Sequence, residues 1–311
     1  MRGSSMGKAE SNKALFIVNP ISGSGKKKKA VEAIEKCYRG PYEIVYTKYP
    51  GHAEELSRES DSSLVVAVGG DGTVSEVARG IVAGGDPSKT LGIIPCGSGD
   101  GLALHLGLSR NPVKAVGCLN GYGTVMMDYA TIRDDTPDRP EGAFFCTAGV
   151  GFDADVAEAF AASGHRRLWN YIACALRLWW KFKPGDYRVV VDGKEIAGKA
   201  SMITVGNASQ WGNGAMIAPL ASVTDGVLDV SFSLPFSTFR IPALAVMLLT
   251  GRLYKAKELK ILKGKEVSIY RTKRGAAHYD GDPCVMGERI DIRICPAALR
   301  VAVPQKKVES I

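Results

Sequence analysis

Residues Leu64-Val65-Val66-Ala67-Val68 run without a polar side chain into Gly69-Gly70-Asp71-Gly72-Thr73, and the chain leaves that loop with a helical pattern. An apolar, β-branched run bounded by glycines reads as a fully buried strand. From Thr73 to Ala83, Val74, Val77, Ala78 and Ile81 share one helical face. Strand, tight turn, helix is therefore the unit on which the fold is built. The glycines let backbone N–H groups approach a ligand with no Cβ in the way, and the helix start offers unpaired amides at its positive end, which suits phosphate. Asp71 runs against that chemistry, because a carboxylate beside phosphates repels them unless a divalent cation or a transferable proton lies between. A tight turn with a capping Asp explains the same residues locally.

Three similar units surround it. Lys13 to Asn19 is an apolar strand that ends in Asn19-Pro20-Ile21-Ser22-Gly23-Ser24-Gly25 and continues as an amphipathic helix through Lys36. The Gly25-Lys26 pair is not a P-loop, since Pro20 stands where the first glycine belongs and Lys27 replaces the Ser/Thr. Tyr42 to Thr47 is a third strand, leading through Pro50-Gly51 into a helix. Leu91 to Pro95 is a fourth, ending in Pro95-Cys96-Gly97-Ser98-Gly99-Asp100-Gly101. Four such units predict an α/β domain over residues 13–134, a parallel sheet between helical layers. Ligands of such sheets sit at the carboxyl ends of the strands, where all four polar loops fall.

After Met126-Met127-Asp128 the texture changes. Arg133 to Gly142 is a charged, proline-bearing linker, and strand-like pieces then dominate: Ala143 to Ala148, Tyr187 to Val191, Ala200 to Val205, Val227 to Phe232, Glu266 to Arg271, Ile290 to Cys295 and Leu299 to Val303. These predict a mainly antiparallel, β-sandwich-like domain over 135–311, with room for its last strand to return to the first domain. Gly149-Val150-Gly151-Phe152-Asp153-Ala154 imitates a dinucleotide fingerprint without the βαβ context that one needs. Residues 1–12 are small and polar and are set aside as a disordered tail or expression remnant.

Bulk properties narrow the classes of function. The longest apolar run, Ile241 to Leu249, is broken by Pro242 and too short to span a bilayer, and no signal peptide opens the chain, so a cytoplasmic protein is expected. Seven cysteines, none spaced as C-x-x-C, fit a reducing compartment and exclude a zinc ribbon. A formal charge of +8 invites phosphate-bearing partners, yet no nucleic-acid motif or long basic stripe is present, and nucleic acid is not expected.

Together the motifs resemble the diacylglycerol kinase catalytic-domain superfamily, which includes bacterial lipid kinases and sphingosine kinases. The likeness rests on Asn19-Pro20-x-Ser22-Gly23, Gly69-Gly70-Asp71-Gly72-Thr73 with Glu76, Pro95-x-Gly97-Ser98-Gly99 and Gly151-Phe152-x-Ala154-Asp155. It continues through Ala218-Pro219-x-Ala221, Asp225-Gly226-x-Leu228-Asp229-Val230 and Tyr279-Asp280-Gly281-Asp282. The resemblance implies ATP-dependent, Mg²⁺-assisted phosphorylation of a lipid hydroxyl in a cleft between the two domains. It puts the nucleotide on Asn19, Ser22, Gly23, Thr47, Gly70, Asp71, Gly72, Thr73, Val74, Ser75, Glu76, Gly97, Ser98 and Asp100. Asp71, Asp280 and Asp282 are the implied catalytic carboxylates. The family's Asp-Gly-Glu reads Asp280-Gly281-Asp282 here, which leaves the base open between the two. Asp225, with backbone carbonyls near Ser222 and Val227, is the implied ligand set of a structural Mg²⁺; a plain Asp-Gly turn explains Asp225 equally well. Gly151, Asp153 and Asp155 are the implied substrate contacts. Asp100 replaces the family's Asn and asks for a cation or a proton nearby. An NAD kinase-like activity and a catalytically inactive nucleotide-binding relative are the competing readings.

A lipid kinase without a membrane span must reach its substrate from the water side, so peripheral contact with the anionic inner face of the membrane is expected. Homodimerisation is left open. Arg166 to Lys183 suits such contact as an amphipathic helix, with Leu168, Ile172, Ala175, Leu176 and Trp179 on one face. Arg167, Asn170, Cys174, Arg177 and Lys181 lie round the other side, and Trp169 and Trp180 fall at the borders. The same stripe suits packing on its own domain.

Overall fold

The structure is a computed structural model that describes residues 13–21, 25–162 and 168–308. Residues 1–12, Ser22, Gly23, Arg166 and Arg167 lie outside the described residues, as do the side chains of Leu168, Trp169, Asn170 and Ile172. The chain divides into two compact units, one of residues up to Met127 together with Ala298 onward, the other Asp128–Ala297.

In the first unit, β1 (Ala14–Val18), β2 (Tyr42–Tyr46), β3 (Leu64–Gly69) and β4 (Thr90–Pro95) run parallel in the order β2-β1-β3-β4. Helices α1 (Lys26–Cys37), α2 (His52–Glu59), α3 (Asp71–Gly84) and α4 (Gly101–His105) each follow one strand, and α5 (Pro112–Leu119) comes after α4. Side chains alternate across a strand. Ala14, Phe16, Val18, Leu64, Val66 and Val68 therefore meet Ala33 and Ile34 of α1 and Val116 and Leu119 of α5 on one face. Leu15, Ile17, Val65 and Ala67 are as deeply buried on the other, which α3 covers. A Cβ on Gly80 of α3 would collide with Ser57 Oγ and the Glu54 carbonyl of α2, so only glycine permits these two helices to cross so closely.

In the second unit, β5 (Gly123–Asp134), which begins in the first, pairs with β6 (Gly142–Phe144). The strands that follow are β7 (Thr147–Gly151), β8 (Gly185–Val191), β9 (Lys194–Ala200), β10 (Met202–Gly206) and β11 (Leu228–Ser233). After them come β12 (Leu259–Gly264), β13 (Glu266–Arg271), β14 (Gly275–Tyr279), β15 (Asp282–Met286) and β16 (Arg289–Val303). One antiparallel sheet has the order β12-β11-β10-β7-β14-β15. In the other, β13 lies between β8 and the start of β16, with β9 beyond β8. Inward residues of both, among them Val150, Ile203, Val205, Val230, Val189, Ile269 and Ile292, close one core, as in a sandwich. Helices α6 (Phe152–Ala162), α7 (Leu168–Trp179) and α8 (Ile241–Leu249) complete the unit.

Several sequence expectations are corrected. The charged linker is anchored at its start: Arg133 and Asp134 end β5, and the Asp134 carboxylate accepts hydrogen bonds from the Gly287 amide (2.6 Å), Thr136 Oγ1 (2.8 Å) and Arg139 (3.1 Å). Ala143 to Ala148 is not one strand but β6 and β7 with a corner at Phe145-Cys146. The two last strands are one, β16, which turns through the left-handed Ala297 (φ 49°). Its far end joins the first unit, where Arg300 and Val301 pair parallel with Thr90 and Leu91. Finally, Ile241 to Leu249 is a helix, since Pro242 lies in its first turn, where no amide is missed.

Candidate nucleotide and phosphoryl-transfer site

Because β1 to β4 are parallel, the residues that follow them share one edge: Asn19 after β1, Thr47 after β2, Gly70 after β3 and Cys96 to Asp100 after β4. Asn19 Nδ2 donates to the buried Thr73 Oγ1 (3.1 Å), and Asn19 Oδ1 accepts from the Ile21 amide (2.9 Å), which fixes the loop after β1 over the start of α3. The Thr47 amide donates to the Val18 carbonyl (2.9 Å). Ser75 Oγ accepts from Arg79 (3.0 Å), and Glu76 accepts from the Ala53 amide (3.3 Å). Val74 is core. The side chains of Thr73 to Glu76 are thus engaged within the protein, and what this segment offers a ligand is backbone.

Among the described residues that backbone is open. Helix α3 starts at Gly70 with no described side chain capping its first amides, and no described atom lies within 4 Å of where a Cβ on Gly72 would be. Uncapped amides at the positive end of a 14-residue helix fit phosphate oxygens. The two glycine loops touch: a Cβ on Gly97 would lie 2.6 Å from Gly70 Cα and 2.7 Å from Asp100 Oδ1. Gly97→Ala is therefore expected to push the loops apart, costing about 1–3 kcal/mol of stability and weakening nucleotide binding. A thermal melt and a nucleotide titration check it; an unchanged titration would separate this contact from the ligand.

Asp71, the first residue of α3, accepts the Asp100 amide on Oδ2 (2.8 Å) and the Gly101 amide on Oδ1 (2.6 Å). It clamps the second glycine loop to the first. Asp100 is itself buried, accepts the Gly97 amide (2.8 Å) and lies 3.1 Å from Arg110 Nε. Burial pushes the Asp100 carboxyl up, against the pull of the Gly97 amide, Arg110 and Lys26. The cation that Asp100 calls for is thus supplied by the protein, and Lys26 Nζ reaches the Gly97 carbonyl (3.4 Å). Burial, helped by Asp100, pushes the Cys96 thiol up to about 11 and removes it as a nucleophile.

In the second unit, Asp280 and Gly281 both have positive φ (50° and 83°) and form the two-residue turn between β14 and β15. The Asp280 carboxylate accepts the amides of Phe145 (2.9 Å), Cys146 (2.7 Å) and Thr147 (3.3 Å). Asp282 is exposed on β15. Asp153 and Asp155 part company. Asp153 is buried, with Oδ2 3.2 Å from both Thr204 Oγ1 and His278 Nε2, and so faces the interior rather than a ligand. Asp155 lines a cavity of about 450 Å³ with Glu158, Ala159, Leu178, Lys181 and Phe182. Its carboxyl is raised by burial and by the Asp153 and Glu158 charges, against Arg271 and Lys273. Gly151 (φ 98°) passes so close to Ser201 that a Cβ would lie 2.6 Å from the Ser201 carbonyl oxygen.

At Asp225 the carboxylate is already matched by a cation of the protein. Its Oδ2 lies 3.5 Å from Lys263 Nζ, which is also 3.0 Å from Asp229, while its Oδ1 accepts the Val227 amide (3.3 Å) and Ser222 Oγ bonds Thr224 Oγ1 (3.2 Å). An ammonium supplies the positive charge there. Among the described residues no three His, Cys, Asp or Glu side chains converge as metal ligands. A Mg²⁺ ion that accompanies phosphates needs only one or two carboxylates, and Asp71, at the start of α3, is the carboxylate of the glycine loop that would serve it.

The sequence profile of the diacylglycerol kinase catalytic domain matches residues 13–132, and that of the YegS C-terminal NAD kinase beta sandwich-like domain matches 146–303. A diacylglycerol kinase of Mycobacterium tuberculosis is 30% identical over 309 residues, covering 95% of this chain and 96% of that one. The chain belongs to the diacylglycerol kinase catalytic-domain family. Its fold matches the crystal structure of a diacylglycerol kinase from Bacillus anthracis with a TM-score of 0.74 at 20% identity, over 96% of this chain and 99% of that one. An NAD kinase from Archaeoglobus fulgidus in complex with ATP matches with a TM-score of 0.52 at 14% identity, over 96% of each chain.

In this diacylglycerol kinase relative, one carboxylate that sequence reasoning passed over is Asp128. It is buried, accepts the Gly226 amide (2.7 Å) and the Ala297 amide (2.6 Å), and so ties the Asp225 turn to the bend in β16. Asn207 Nδ2 adds bonds to the carbonyls of Asp128 (2.9 Å) and Phe145 (2.8 Å). Nothing in the local sequence marks either residue, because their partners lie 62 to 169 positions away.

Proposed function

We propose that the protein is an ATP-dependent lipid kinase that phosphorylates a hydroxyl of a diacylglycerol-like or sphingoid-base-like lipid. The observation that carries this reading is the pair of touching glycine loops at an uncapped helix start, held together by Asp71. Support comes from the family membership and from the ATP complex of a protein of related fold. Bound ATP supplies the transferable phosphoryl group, and Mg²⁺ entering with it neutralises phosphate charge. Phosphoryl transfer passes through a loose transition state, so the protein's work is positioning and electrostatics. The amides of Gly72 and Thr73 orient phosphate oxygens, Asp71 fixes the Gly97 loop beside them, and a carboxylate of the Asp280-Gly281-Asp282 turn takes the proton of the lipid hydroxyl. Acting on a lipid, the enzyme works as a peripheral protein at the cytoplasmic face of the membrane.

The test is incubation with labelled ATP and Mg²⁺ against diacylglycerol, a sphingoid base, ceramide and NAD, the lipids presented in detergent micelles. Label in an organic-soluble phosphorylated lipid is the expected result. Label in NAD instead would transfer the protein to the nucleotide-phosphorylating branch of the fold, and nucleotide binding without transfer to any acceptor would make it an inactive relative.

A further inference from the structure

Helix α8 reads Ile-Pro-Ala-Leu-Ala-Val-Met-Leu-Leu, with no polar side chain on any face. A helix that is apolar all round is normally buried, yet none of these nine residues is buried. Leu244, Met247 and Leu248 pack on a small cluster that includes Ile217, Leu253 and Ala256. The opposite face does not: Val246 is 61% exposed and Leu249 60%, and Phe239, just ahead of the helix, is 94% exposed. Helix α7 ends at the same place. Trp179 Nε1 donates to Thr238 Oγ1 (3.1 Å) and its ring stacks on Phe236 at 4.7 Å, so Trp179 faces inward while Trp180 is 79% exposed. Arg240 is held by both oxygens of Glu258 (2.6 and 3.1 Å), which fixes the start of α8. The chain then presents four exposed cations, Arg252, Lys255, Lys257 and Lys260.

We propose that the outer face of α8, with Phe239 and Trp180, is a membrane-inserting platform that docks on a bilayer containing anionic lipid. Apolar side chains on a short helix enter the boundary between headgroups and acyl chains, while cations beside them meet anionic headgroups. Among the described residues no helix is long and apolar enough to cross a membrane, so this element lies on the surface. A second copy of the chain is a poorer occupant, because a two-fold contact through α8 would bring two clusters of Arg252, Lys255, Lys257 and Lys260 together. The proposal deepens the lipid-kinase reading and rests on it for its purpose, but its test is separate.

Full-length protein is sedimented with phosphatidylcholine vesicles, with and without phosphatidylglycerol. Wild type is expected to bind the anionic vesicles and to lose most of that binding at high salt. Val246→Glu with Leu249→Glu is expected to lower partitioning on the order of a hundredfold, with an unchanged melting temperature and unchanged phosphorylation of a soluble short-chain diacylglycerol. Lys255→Glu with Lys257→Glu is expected to remove the preference for phosphatidylglycerol. Three results would overturn the proposal: wild type that ignores both vesicles, a double glutamate variant that binds as well as wild type, or a wild-type dimer that the variant dissolves with vesicle binding unaltered. Wild type that binds vesicles through α8 but phosphorylates no lipid would support the platform and overturn the kinase reading.

Discussion

Asp71→Asn is expected to lower kcat by roughly a thousandfold and to lower the melting temperature as well. Both follow from the same two hydrogen bonds. The carboxylate accepts the Asp100 amide on one oxygen and the Gly101 amide on the other. An asparagine has one acceptor oxygen, so its NH₂ would face one of these amides donor to donor. Losing a charge-assisted bond costs about 1.5–3 kcal/mol, which for a protein of this size is a few degrees of melting temperature. The loop carrying Gly97 then leaves Gly70, and misplacement by about an ångström is enough to cost two orders of magnitude in rate. Sequence alone suggests a carboxylate that faces ligand; the geometry makes it a clamp between the two glycine loops. Turnover and thermal melts of the variant check this. A variant that melts like wild type but turns over poorly would assign Asp71 to the chemistry alone, and normal turnover would remove it from both roles.

The first unit was legible because its signals are local. Buried parallel strands read as continuous apolar runs, and each ends in a loop whose glycines stand beside it in sequence. The second unit was only partly legible. β9, Lys-Glu-Ile-Ala-Gly-Lys-Ala, pairs on one side only, with β8, and is mostly exposed, so it carries no apolar alternation to detect. α8 has no amphipathic period because both of its faces are apolar, and Pro242 reads as a breaker until it is seen to occupy the first turn. Among the candidate site residues, sequence gives the type of side chain but not its direction. Asp153 and Asp155 sit two residues apart on α6, and only the fold shows that one meets His278 and Thr204 in the interior while the other lines a cavity. Asp128 had no local mark at all, since a single Asp between a methionine and a tyrosine says nothing about amides near residues 226 and 297.

The two carboxylates of the Asp280-Gly281-Asp282 turn are expected to separate on substitution. Asp280→Asn should lower stability by about 2 kcal/mol or more, because the corner between β6 and β7 rests on three amides that this side chain accepts. An asparagine keeps one acceptor and turns donors on the rest. Activity would fall with it, through a corner that no longer holds Thr147 at the start of β7. Asp282→Asn, on the exposed face of β15, should leave the melting temperature within about a degree, as surface substitutions do. Its effect should be on the chemistry: kcat lower by roughly a hundredfold to ten-thousandfold, as for removal of a general base, with the KM for ATP unchanged. The physical reason for favouring Asp282 is that a base must be reached by the hydroxyl proton: Asp282 is exposed, whereas both oxygens of Asp280 accept amides of the corner. Paired melting curves and steady-state kinetics of the two variants decide. If Asp282→Asn keeps wild-type kcat while Asp280→Asn loses it without losing stability, the assignment reverses and Asp280 is the base.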